Sequence, residues 1–211
     1  MGVTWWLDRI DPDVWQEAVR RAQSPPSTPD EVTAFLAAFG KKPEDSMLDE
    51  FAEADEDPFL RSSALNSVFE LAVTSESWYL DKTFGYGFQS LPKMLPALEP
   101  LRLIFDFKGI DTPLPSSCSR IESGLFGCMS IAKTRTCLDA ISPFPSMEAV
   151  CAALRDLKPS GLSRLLGART GAAALAAKLE ADYFAGHWAS LYAAITETEQ
   201  RGHLLGLGMS P

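Results

Sequence analysis

Ser130-Ile131-Ala132-Lys133 is a Ser-x-x-Lys tetrad. One helical turn would bring the lysine beside the serine, where its amine could take the hydroxyl proton during acyl transfer. Penicillin-recognising acyltransferases pair this tetrad with partner motifs of the Ser-x-Asn and Lys-Thr-Gly kind. Here Lys82-Thr83 is followed by Phe84, so Lys-Thr-Gly is missing. The glycines around the tetrad argue against a helix. The favoured reading is a chance match. A small hydrolase using Ser130 and Lys133, or a site near Asp81, stands as the alternative.

The other chemical groups are sparse. His187 sits in Phe184-Ala185-Gly186-His187-Trp188 with no local nucleophile signature, and His203 is the second of two histidines. A packed or exposed histidine accounts for each. Cys118, Cys128, Cys137 and Cys151 form no C-x-x-C pair, so the close ligand spacing of common zinc sites is lacking. Their apolar and small neighbours predict buried free thiols. No metal and no cofactor is expected. Gly85-Tyr86-Gly87 and Gly206-Leu207-Gly208 do not continue into a phosphate-binding loop and are read as backbone turns.

The richest cluster is Trp78, Tyr79, Asp81, Lys82, Phe84 and Tyr86. Aromatic rings beside one acid and one base can line a recognition pocket. Trp78, Tyr79, Asp81, Lys82 and Tyr86 are therefore the candidate binding residues. The plainer account packs Trp78, Leu80 and Phe84 into the core and leaves Asp81 and Lys82 as a local ion pair.

These groups need elements to hold them. Val3 to Ile10 predicts a short strand, and Asp11-Pro12 the capped start of a helix. Thr28-Pro29-Asp30-Glu31 is a capping box, with Gly40 where the helix should end. Residues 41–58 carry eight acids around Met47, Leu48 and Phe51 at helical spacing. They lack the order and the glycine turn of a calcium loop, so a solvated acidic helix face is predicted. Docking of a basic partner on it stays open. Helices are expected over 62–73 and 77–91, and the best strand is Leu101–Phe107. A loop follows over 108–118, then an extended segment over 124–138. Ser146 should cap a helix over 147–158, with a turn or two at 160–167. One long helix over 171–200 stops at Gly202, before a short strand from His203 to Leu207.

The 211 residues are expected to form a single domain, 1–211. The net charge of −9 repels phosphate backbones and anionic membranes and attracts a basic protein. Acidity for solubility alone is the plainer explanation. The first residues resemble no signal peptide, and no apolar run approaches the ~20 residues that cross a bilayer. A reducing cytoplasm is the expected compartment.

The start, Met1-Gly2-Val3 with a strand and then an Asp-Pro helix, is similar to that of the YfbM-like family of bacterial proteins. Leu80-Asp81-Lys82-Thr83-Phe84 resembles a central motif of that family. The ending also resembles it: a helix opened by Ser146-Met147-Glu148, a long helix through Leu191-Tyr192, then Arg201-Gly202 and a last strand. Phe84 and Gly85 stand where the family usually has Trp and then His or Asp. The resemblance implies an α+β fold, predominantly helical with a small β-sheet, and no established activity. It also implies a role as an immunity or accessory protein beside a bacterial toxin. The preferred expectation is a non-catalytic binding protein, in its sharpest form an immunity-type protein covering a basic toxin. A phage or mobile-element protein with another partner is the third reading.

Overall fold

The computed structural model describes residues 4–54, 57–73, 77–81, 88, 90–116, 118, 125–157, 171–180 and 182–210. It is an α+β fold, mostly helical, built on a five-stranded sheet. Strand β1 (Thr4–Ile10) leads into α1 (Pro12–Arg21). The Asp11 carboxylate accepts from the N–H groups of Asp13 and Val14 at 2.8 and 3.2 Å, satisfying amides that no helical carbonyl reaches. Thr28 caps α2 (Pro29–Ala37) through the Glu31 N–H. The reciprocal bond is displaced by one residue: the Glu31 carboxylate accepts from the Ser27 N–H and hydroxyl. Gly40, at φ +68°, ends the helical region as expected. Then come α3 (Asp45–Glu53) and α4 (Pro58–Val73).

The middle of the chain departs from expectation. Ser77–Leu80 is strand β2, not the first turn of a helix. Trp78 and Leu80 alternate with Tyr79, and β1 offers them a free edge. Residues 82–87 and 89 of the expected 77–91 helix lie outside the described residues. Helix α5 (Leu91–Met94), a 3-10 turn (Pro96–Leu101) and α6 (Arg102–Phe105) follow. The expected strand at 101–107 is thus helical. Leu101, Ile104 and Phe105 are buried at a spacing of three and four, which suits one helix face. Pro96 and Pro100 preset the backbone for those turns.

Strand β3 (Ile110–Pro113) stands where a loop was expected. Strand β4 (Leu125–Met129) is extended as predicted, but helix α7 (Ile131–Ile141) replaces the rest of that segment. Ser146 caps α8 (Met147–Asp156) through the Ala149 N–H. The turn expected at 160–167 lies outside the described residues. The long final helix is two, α9 (Gly171–Leu179) and α10 (Asp182–Gln200). Gly202, at φ +67°, closes α10, and β5 (Leu204–Ser210) follows.

The strands run antiparallel in the order β2-β1-β5-β4-β3, so β1 and β5 pair at the centre. Helices cover both faces. Trp5, Leu7, Leu80, Met129, Leu205 and Leu207 pack with Trp188 and its neighbours from α7 to α10. Trp188 stacks on Phe88 at 5.0 Å and donates its indole N–H to the Phe144 carbonyl at 2.9 Å. On the other face, Ile10, Leu125 and Cys128 pack with Trp15, Phe35, Phe51 and Phe69 from α1 to α4. Gly127 sits in the irregular part of β4, at φ +148°, tight against β3. Gly206 and Gly208 are mid-strand and make no turn. A side chain at Gly206 would press on Ile10 and Asp8, and one at Gly208 would enter the Trp6 indole. They are glycines because β1 needs their space.

Candidate functional site

The residues singled out around position 80 do not share a helix face. Leu80 is fully buried, and Trp78 packs, partly buried, against the same cluster. Tyr79 points the other way, opposite Trp6, and is 61% exposed on an edge strand. Asp81 follows the strand, half-buried. Lys82, Phe84 and Tyr86, and with them the expected Asp81–Lys82 pair, lie outside the described residues. The described part of this cluster is one exposed ring on a sheet edge, one packed indole and one half-buried carboxyl.

Ser130 and Lys133 do fall at the start of a helix, contrary to the glycine argument. The local glycine belongs to β4, and helix α7 begins only after it. Both residues are held by Asp111 on β3. The Ser130 N–H donates to Asp111 Oδ2 at 2.9 Å. Lys133 Nζ donates to Asp111 Oδ1 at 2.5 Å and to the Gly109 carbonyl at 3.1 Å. Burial would raise the Asp111 pKa, but the bonds from Lys133 and Ser130 outweigh it and hold the carboxyl below its ordinary value. The Lys133–Asp111 ion pair ties the start of α7 to β3.

His187 lies in α10 with its ring edge-on to Tyr183 at 4.6 Å. His203 Nε2 stands 3.8 Å from the Asp11 carboxylate. The four thiols are free and buried. Burial pushes Cys137 up to about 12 and Cys128 well above its ordinary value. In the native protein a thiol-reactive dye should label none of the four within minutes, and in denaturant it should label all four. Rapid native labelling at any one would mean that its covering helix opens readily.

Sequence reasoning missed Asp8. It is 2% exposed, in the middle of β1. Alternation places it with Trp6 and Ile10 on the face covered by α1 to α4. The Ser77 hydroxyl, directly across on β2, donates to Asp8 Oδ1 at 2.6 Å. Glu70 on α4 accepts from the Leu125 N–H at 3.3 Å, and Leu125 lies beside Gly206 and Asp8. Burial pushes the Asp8 carboxyl up to about 7; Ser77 and Trp6 pull it down by hydrogen bonding, and the Glu70 charge pushes it further up. The signal was present in Trp5-Trp6-Leu7-Asp8-Arg9-Ile10, where an acid occupies an inward position of an apolar strand.

The acidic helix face is real. On α3 and its flanks, Glu44, Asp45, Asp49, Glu50, Glu53 and Asp57 are exposed. Among the described residues, the first five carry no ion pair. Asp57 accepts from the Phe59 N–H at 2.9 Å and starts α4. Immediately after it, Phe59 and Leu60 are 62% and 46% exposed. A separate, mostly apolar groove runs between α1 and β3, lined by Trp15, Val19, Leu114 and Pro115. Its charged members, Arg20 and Asp111, are tied to Glu17 and Lys133.

Among the described residues, no group of three or more His, Cys, Asp or Glu side chains is placed to hold a metal ion. No described helix is long and apolar enough to cross a membrane. Compared with protein-family models, curated proteins and solved structures, the chain matches none.

Proposed function

We propose that the chain is a non-catalytic binding protein of the cytoplasm. It docks a basic protein on the corner formed by α3 and the start of α4. The observation that carries this reading is the exposure of Phe59 and Leu60 beside six exposed carboxylates. Two large exposed apolar side chains next to uncompensated charge have the composition of an interface: the apolar side chains supply buried area and the charges steer the encounter. The sharpest form is an immunity-type protein that covers the basic surface of a toxin. The free thiols support a reducing compartment. The hydrolase alternative has less support, because Lys133 is committed to Asp111. If the chain is instead a phage or mobile-element protein, its partner would use the same surface.

The test is a tagged capture from host lysate with mass-spectrometric identification, repeated with two double variants. These are Phe59→Ser with Leu60→Ser, and Asp49→Lys with Glu50→Lys. One basic partner should be retained at low salt and lost at high salt. With that partner purified, each double variant should weaken binding at least tenfold, in line with about 1–3 kcal/mol for interface truncations. Salt-independent binding that both variants retain would place the partner elsewhere and overturn the docking surface.

A further inference from the structure

Phe88 and Phe105 mark a place where the core reaches the surface. Their rings lie 5.8 Å apart, and Phe88 stacks in turn on Trp188. With Pro92 they form the apolar part of a cavity of about 330 Å³. The rest of its lining is charged: Lys93 on α5, Arg102 at the start of α6 and Asp106 just after α6. Phe88 and Phe105 belong to the cluster on the α7–α10 face, so this cavity is across the sheet from the acidic corner.

The charges in the lining do not cancel one another. Arg102 and Asp106 are one helical turn apart, with the Asp106 N–H bonded to the Arg102 carbonyl at 3.0 Å. Opposite charges at that spacing commonly pair. Here Arg102 Nε turns back to Glu99 at 3.4 Å, and Asp106 Oδ2 turns on to Lys108 at 3.4 Å. At that length neither is a close hydrogen bond, so donors on Arg102 and acceptor capacity on Asp106 remain for a guest. Lys93 has no ion pair among the described residues.

We propose that this cavity binds a free α-amino acid with a flat apolar side chain. Its carboxylate takes the Arg102 fork and the Lys93 ammonium, its ammonium goes to Asp106, and its side chain lies on Phe88, Phe105 and Pro92. An anion alone would meet the Asp106 carboxylate, and a cation alone would meet Lys93 and Arg102. A molecule carrying both charges satisfies all three. A cavity of about 330 Å³ is at the small end of the range of about 300–1,000 Å³ for ligand sites, which suits a single amino acid. A partner docked on the acidic corner would leave this site open.

Amide NMR shifts, followed while L-phenylalanine is added, test the proposal. Those of Phe88, Lys93, Arg102, Phe105 and Asp106 should saturate together below about 10 mM, a modest affinity suited to so small a ligand. Phenylpropionate lacks the ammonium and phenethylamine lacks the carboxylate; each should bind at least tenfold more weakly. Lys93→Ala with Arg102→Ala should weaken phenylalanine at least tenfold and leave the remaining shifts unchanged. Asp106→Asn should let phenylpropionate bind as well as phenylalanine. No saturating shift at these residues, or undiminished phenylalanine binding in the folded double variant, would overturn the site. Equal affinity of the wild-type protein for phenylalanine and phenylpropionate would overturn it too, and that comparison decides the matter if a variant does not fold.

Discussion

Alanine at position 127 is expected to destabilise the protein by about 3–5 kcal/mol, a size reached only where a substitution forces backbone to move. Gly127 has φ +148°, a region that residues with a Cβ rarely adopt. The space is also taken. A Cβ there would stand 2.7 Å from Pro113 Cα and 2.8 Å from Ile110 Cγ2, with the Thr112 carbonyl closer still. Two of these three are backbone atoms of β3, and they cannot rotate aside as a side-chain tip would. Strand β3 must lift off β4. Asp111 would lift with it and drop its hold on the Ser130 N–H and on Lys133 at the start of α7. Urea unfolding of Gly127→Ala should show a large fall in midpoint with little change in slope. Gly202→Ala is the control: φ is +67° there, but nothing lies within 4 Å of the new Cβ. That variant should cost only about 1 kcal/mol, the penalty for a left-handed conformation alone. Equal losses at the two positions would show that β3 gives way freely.

The second large effect is the shape of stability against pH. Asp8 alone should remove up to about 4 kcal/mol between pH 4 and pH 7, since each tenfold difference in proton affinity between the folded and unfolded chain is worth about 1.4 kcal/mol. The loss goes with rising pH, because the folded protein holds the proton up to about 7 and the unfolded chain releases it near 3.8. Asp111 works the other way. Its carboxyl is held below its ordinary value, so it contributes stability above the unfolded value that disappears as the pH falls through the folded one. Between these opposed carboxyls, maximum stability is expected well on the acid side of neutrality, at about pH 4, where Asp111 is ionised and Asp8 has only begun to favour unfolding. Thermal melts from pH 4 to pH 8 should show a falling limb up to about pH 7 in the wild-type protein and a flat one in Asp8→Asn. A wild-type stability that keeps rising to pH 7 would mean that Asp8 is ionised in the folded state.

What the sequence showed plainly was whatever its own neighbours decide. Asp11, Thr28 and Ser146 cap the helices they were expected to cap, because a cap needs only a short side chain and the next three amides. Gly40 and Gly202 close helices for an equally local reason. The errors came where a distant strand decides. Trp78-Tyr79-Leu80 is as apolar as many helices, and only the free edge of β1 makes it a strand. Leu101 to Phe107 is as apolar as many strands, yet two nearby prolines and a buried spacing of three and four turn it into helix. The glycines of β5 look like turns in isolation because the Trp6 and Asp8 side chains they accommodate lie at the other end of the sequence. Asp8 escapes a local reading for the same reason. Its significance depends on Ser77 and Glu70, which no local pattern connects to it. The acidic stretch before α4 was legible as charge. The exposure of Phe59 and Leu60 beside it was not, because apolar residues at a helix start are equally compatible with burial.

The central β1–β5 pair joins the first described strand to the last, with Thr4 opposite Ser210 and Ile10 opposite Leu204. During synthesis the sheet therefore cannot close until residues 204–210 have left the ribosome. Helices α1 to α4 emerge first and can gather around Trp15 and Phe69, but Ile10 then waits on an unpaired edge. Closing this long-range pair is costly in chain entropy, and until it forms the nascent chain exposes an unpaired strand edge. The same adjacency puts residues 4 and 210 side by side. A short linker from residue 210 back to residue 4, with new ends opened in a surface connection elsewhere, should keep the central pair intact and bring its two strands out of the ribosome together.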